Sequence, residues 1–71
     1  MIRILVADDH ELVRRGLRGL LKDAFPDLVF GEALDSGQTL GAVEKQSWDL
    51  ILLDINMPGR SGLDVLQDLK H

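Results

Sequence analysis

Four apolar residues in a row, Leu50-Ile51-Leu52-Leu53, stop abruptly at Asp54. A strand with one wet face alternates apolar and polar side chains, whereas a strand covered on both faces is apolar throughout. The segment Trp48 to Asp54 therefore reads as a central strand, and it commits the chain to a sheet with helices on both sides. Upstream, Met1 to Ala7 is a β-branched, apolar run that gives way at Asp8-Asp9-His10, an Asp-type helix cap. From His10 to about Ala24, the residues Val13, Leu17, Leu20, Leu21 and Ala24 fall on one helical face. Arg14, Arg15, Arg18 and Lys22 take the other face and read as a solvated stripe. Phe25-Pro26-Asp27 ends that helix, because proline cannot extend the ladder and its predecessor avoids the helical region.

A second strand is expected over Leu28 to Leu34. A weaker helix opens at Asp35-Ser36-Gly37 and runs to about Gln46, with Leu40 and Val43 inward and Gly41 lowering its propensity. After the turn Asn56-Met57-Pro58-Gly59, the spacing of Leu63, Leu66 and Leu69 predicts a last amphipathic helix. The order βαβαβα with right-handed crossovers makes a parallel α/β sheet. Because the third strand comes last, nothing later in the chain pairs with its outer edge, so either the chain is a fragment or a partner supplies that edge.

Size and charge narrow the function. The chain has 71 residues, enough for one small domain whose stability is marginal without a staple, and it has no Cys to provide one. Eight basic against twelve acidic residues give a net charge of -4, which provides no cationic footprint for nucleic acid or an anionic membrane. No apolar run approaches the length of a bilayer span. These features point to a cytoplasmic chain with protein or cation partners.

In open parallel sheets, ligands bind beyond the carboxyl ends of the strands. Asp8 and Asp9 close the first strand and Asp54 the third, so neighbouring strands would gather three carboxylates on one rim. Such a cluster favours a hard divalent cation, and Mg²⁺ suits a shallow site where it keeps part of its water. A carboxylate beside that ion is also a nucleophile toward phosphorus. Asp54, at the end of a rigid strand, is the stronger candidate, since Asp9 has a competing use as a helix cap. Taken alone, the acidic pair reads as a cap plus a solvated charge; His10 reads as a first-turn residue, Trp48 as packing at a strand entrance, and Gly59 and Gly62 as backbone accommodations.

Other chemistries fail on the letters. A haloacid-dehalogenase-type phosphatase wants a second Asp two residues after the nucleophile, and position 56 is Asn. A dinucleotide site wants a glycine-rich turn after the first strand, and Ala7-Asp8-Asp9-His10-Glu11 has none. Of the Gly-x-x-Gly spacings that an RNA-clamping loop would use, Gly16 to Gly19 falls inside a helix and the net charge is wrong.

The acidic pair after Ile4-Leu5-Val6-Ala7, together with Leu52-Leu53-Asp54-Ile55-Asn56-Met57-Pro58-Gly59 and Gly62, resembles the receiver domain of bacterial two-component response regulators. His10, Leu12-Val13-Arg14, Gly16-Leu17, Leu20-Leu21 and Gly31-Glu32-Ala33 further resemble the NarL/FixJ subfamily, whose members usually join the receiver to a helix-turn-helix output domain. The resemblance implies a partial flavodoxin-like (CheY-like) fold with a three-stranded sheet in the order 2-1-3. It implies that Asp54 takes phosphoryl from a sensor histidine kinase and that Asp9, Asp54 and the Asn56 carbonyl hold Mg²⁺, with Asp8 acting through a bound water. Met57-Pro58-Gly59 would shape the loop after the acceptor.

Receivers of this family have five βα units. Residues 1–71 match three, without the family's later Ser or Thr and Lys positions, which neither Lys45 nor Lys70 supplies. The expected molecule is thus a phosphoacceptor module rather than an enzyme, with no output domain or DNA-reading element in this chain. Transcriptional control would belong to a longer parent. The alternative is an interaction module that has lost phosphorylation and assembles with a missing half or with itself, as a homodimer through the third-strand edge or by exchanging elements.

Overall fold

The structure, a computed structural model, describes residues 1–54. Strand β1 (Arg3–Ala7) leads into helix α1 (Glu11–Ala24), followed by β2 (Val29–Ala33), α2 (Ser36–Lys45) and β3 (Leu50–Leu53). The three strands are parallel in the order β2-β1-β3, so the expected 2-1-3 sheet is present. The expected last helix around Leu63, Leu66 and Leu69 lies outside the described residues.

Pleating sends alternate side chains of β1 to opposite faces. Ile4 and Val6, with Leu28, pack against Leu17 and Leu21 of α1 and Leu52 of β3. Leu5 and Ala7, with Ala33, pack against Ala42 and Val43 of α2 and against Trp48, Ile51 and Leu53. The strand buried on both faces is therefore β1, whose residues from Ile4 to Ala7 are essentially inaccessible. This corrects the expectation for the third strand: β3 forms one edge of the described sheet, and its first residue, Leu50, is 45% exposed.

Helix α1 departs most from the sequence pattern. Only Leu17 and Leu21 of its five apolar positions join the core, while Leu20 is 70% exposed and Val13 and Ala24 face solvent. The inward stripe is centred on positions 14, 17 and 21, and Arg14 is buried with 8% exposure. Of the four basic residues expected as a solvated stripe, Arg15, Arg18 and Lys22 are exposed and Arg14 is not, and three of them reach β2 or the residue before it. Arg14 Nε donates to Glu32 Oε1 at 3.2 Å, the Arg18 guanidinium lies 5.9 Å from the centre of the Phe30 ring, and Lys22 Nζ donates to the Leu28 carbonyl at 2.8 Å. Four helical residues rise about 6 Å and two strand residues rise about 6.6 Å. Positions 14, 18 and 22 thus run in step with 32 and 30 of β2 and with 28 just before it, and long basic side chains can cover apolar surface while their heads stay satisfied.

The helix starts also differ in kind. His10 occupies the N-cap of α1 with an extended backbone and no side-chain cap bond, so neither Asp8 nor Asp9 is the cap. Asp8 Oδ1 instead accepts the His10 N–H at 2.9 Å. Helix α2 is capped as its sequence suggests, with Asp35 Oδ1 accepting the Gln38 N–H at 2.8 Å. Its fully buried position is Thr39, whose hydroxyl donates to the Asp35 carbonyl, rather than Leu40. Trp48 packs at the entrance to β3, where its indole N–H donates to the Ala42 carbonyl at 3.0 Å and its ring covers Gly31.

Candidate functional site

The sheet register builds the rim. Ala7 pairs with both Ala33 and Leu53, so the residues that follow β1 and β3 emerge side by side. The Asp54 N–H donates to the Ala7 carbonyl at 2.9 Å, and the Asp8 N–H donates to the Ala33 carbonyl at 2.9 Å. Each backbone is tied to its neighbouring strand before its side chain enters the site.

Asp8, Asp9, His10 and Asp54 each offer one ligand atom, and these four atoms lie within 4.8 Å of one another. The three carboxylates expected at this rim are brought together. Asp8 and Asp54, with His10, border an open cavity of about 510 Å³ whose apolar wall includes Val6, Leu17 and Leu52. The fourth expected ligand, the Asn56 carbonyl, and the Met57-Pro58-Gly59 turn lie outside the described residues.

His10 is the member that sequence reasoning set aside. Its Nδ1 stands 2.7 Å from Asp8 Oδ1, 3.1 Å from Asp9 Oδ1 and 3.8 Å from Asp54 Oδ2. The hydrogen bond to Asp8, with the charges of Asp9, Asp8 and Asp54, raises the imidazole pKa above its ordinary value of 6.5 against slight desolvation. For Asp8, partial burial pushes the carboxyl up. The His10 main-chain N–H, the ring bond and the ring charge outweigh that burial and hold the group below the usual 3.8. A protonated ring here offsets the repulsion of converging carboxylates, the same need that a metal ion would meet.

The donor set answers whether such an ion fits. Carboxylate oxygens are hard ligands, they come from two strand ends whose backbones are held, and the rim is open enough for a cation to keep part of its water. Mg²⁺ matches that chemistry. Arg14 is the second residue that sequence reasoning placed wrongly: its Nη1 donates to the Asp8 carbonyl at 2.8 Å, beneath the rim. Its position three residues before Leu17 and seven before Leu21 was the available signal, because it puts Arg14 on the inward stripe.

Parallel strands, a carboxyl-end rim and this acidic cluster define a receiver-type module. The chain belongs to the response regulator receiver domain family, whose pattern it matches over residues 4–71. It is 46% identical over 69 residues to the nitrate/nitrite response regulator protein NarL of Escherichia coli (strain K12), an alignment covering 96% of this chain and 32% of that protein. With the transcriptional regulatory protein LiaR of Bacillus subtilis (strain 168) it shares 41% identity, covering 97% and 33%. The chain thus spans about a third of the length of these relatives, which are of the NarL/FixJ type its sequence resembles. Among solved structures it superimposes on the response regulator protein TrrA of Thermotoga maritima in complex with Mg²⁺ and BeF, with a TM-score of 0.89 and 34% identity, covering 99% of this chain and 59% of that one. TrrA in complex with the histidine kinase ThkA gives a TM-score of 0.88 at the same identity and coverage.

Proposed function

We propose that this chain is the phosphoacceptor part of a two-component response regulator, with Asp54 as the residue that takes the phosphoryl group. Residues 1–71 then correspond to three of the five βα units of a receiver. The donor is the phosphohistidine of a sensor histidine kinase, in keeping with the ThkA complex of the related TrrA. A carboxylate oxygen of Asp54 attacks phosphorus, the P–N bond breaks, and the imidazole leaves with the bonding pair and gains a proton, leaving an acyl phosphate on Asp54. A Mg²⁺ ion held by Asp9, Asp54 and the Asn56 carbonyl, with Asp8 acting through water, would supply charge neutralisation for the transferred group. The chain's own contribution is placement. The bond from the Asp54 N–H to the Ala7 carbonyl holds the acceptor at the rim, and Asp8 and Asp9 converge on the same space.

The carrying observation is that convergence of Asp8, Asp9 and Asp54 at the carboxyl ends of adjacent strands. The test is intact mass after incubation with Mg²⁺ and acetyl phosphate. One added phosphoryl group, absent with Asp54→Asn and absent without Mg²⁺, is the expected result; an unchanged mass overturns it. The product is a signalling mark rather than a turnover product, and the surroundings this reading calls for are cytoplasmic, with no direct role for nucleic acid or membrane. A second reading, self-association as a homodimer, rests on the position of β3 at an edge of the described sheet and the exposure of Leu50. Pairing of the two β3 edges, or exchange of elements, would leave Asp54 on each copy, so the two readings are compatible.

A further inference from the structure

We propose that Arg14 is a positioning residue for the acidic rim, fixing the main chain of Asp8 so that its carboxylate is presented to a divalent cation. The inference rests on the reading of Asp8, Asp9 and Asp54 as a Mg²⁺ site. Arg14 is the one strongly buried cation among the described residues, and a buried guanidinium is retained only where its donors are met. Two of them are met from different elements: Nη1 donates to the Asp8 carbonyl at 2.8 Å, and Nε donates to Glu32 of β2 at 3.2 Å.

The main chain of Asp8 is thereby held on both sides of its Cα, by Arg14 at its carbonyl and by the Ala33 carbonyl at its N–H. Ala33 follows Glu32 directly, so the guanidinium joins the rim to the strand segment that anchors it. The bond to the rim goes to the main chain of Asp8 and not to its carboxylate, which keeps that carboxylate's charge for a cation. Partners beyond the ligands that orient them typically change metal affinity about ten- to a hundredfold.

The helix carries its own control. Lys22 makes the same kind of clasp, from α1 to the Leu28 carbonyl at 2.8 Å, at the end of β2 away from the rim. If Arg14 merely glues α1 to the sheet, the two clasps should behave alike. The experiment is calorimetric titration of the 71-residue chain with Mg²⁺, beside thermal melts, for the parent, Arg14→Gln, Arg14→Lys and Lys22→Gln. Arg14→Gln is expected to weaken Mg²⁺ binding about tenfold, the low end of the range for such orienting partners. Arg14→Lys, able to reach one acceptor but not both, should fall between. Lys22→Gln should lower the melting temperature and leave the Mg²⁺ affinity unchanged.

An Arg14→Gln protein that is folded and binds Mg²⁺ as the parent does overturns the proposal. Should that variant not fold, Arg14→Lys decides on the same criterion. A parent chain that takes up no Mg²⁺ is a different failure, since it overturns the Mg²⁺ reading of the rim itself and the inference with it.

Discussion

At the scale of single residues, the acidic rim is a problem in charge that the protein meets with His10. The consequence for stability without metal has a definite sign. Asp8, with its pKa lowered, contributes stability that is present above 3.8 and lost as the pH falls through its folded value. His10, with its pKa raised, contributes stability that is complete below 6.5 and lost as the pH rises through its folded value. In a chelator, urea midpoints followed across the neutral and acidic range should therefore be highest between 3.8 and 6.5. His10→Asn should flatten the alkaline limb, and an unchanged limb would show that the ring does not feel the carboxylates. A second residue-scale prediction concerns Gly31, where any Cβ would overlap the Trp48 ring. Gly31→Ala should cost about 1–3 kcal/mol, as overpacking does, with a change in Trp48 emission as the ring moves. A variant of parental stability would mean that the indole can retreat without losing its bond to Ala42.

Elements were legible where a local rule decided them and not where tertiary fit did. All five described strands and helices fall where hydrophobic period, proline and aspartate put them, because those signals act within a few residues. Asp35 is such a signal, and removing it should show its local character: Asp35→Ala should destabilise the chain by about 1 kcal/mol through loss of the cap on α2. Denaturant unfolding would read this, and no loss would mean that tertiary packing alone holds that helix start. The facing of α1 was not legible. Its sequence offers more apolar residues than the sheet can cover, and the choice among them depends on Glu32 and Phe30 of β2, and the Leu28 carbonyl just before it, standing at the pitch of Arg14, Arg18 and Lys22. A one-dimensional pattern holds no record of that match. The candidate site shows the same division: Asp8, Asp9 and Asp54 follow from strand ends, whereas the approach of His10 and the support of Arg14 depend on the path of the chain between them.

At the scale of the whole molecule, the described sheet has one strand buried on both faces and two edges. Its burial is concentrated on β1, which leaves β3 with an apolar sequence and an incompletely covered surface. Two forms of assembly can add stability to such a chain. Mg²⁺ binding to the rim should stabilise the native state by linkage, by about 2.7 kcal/mol at a hundredfold excess over its dissociation constant. The raised melting temperature should reverse with chelator and be absent in Asp54→Asn. The other form is association of copies through β3, since an apolar edge strand is a template for further pairing. Sedimentation at micromolar concentration should show a dimer, and Leu50→Lys should shift it toward monomer. Leu50 is suited to that test because it is partly exposed within one chain, so a lysine there can reach water while charging the edge that two copies would share. Dimers that persist unchanged in Leu50→Lys would place the contact elsewhere, and a compact monomer in the parent would remove the assembly reading while leaving the phosphoacceptor proposal for Asp54 untouched.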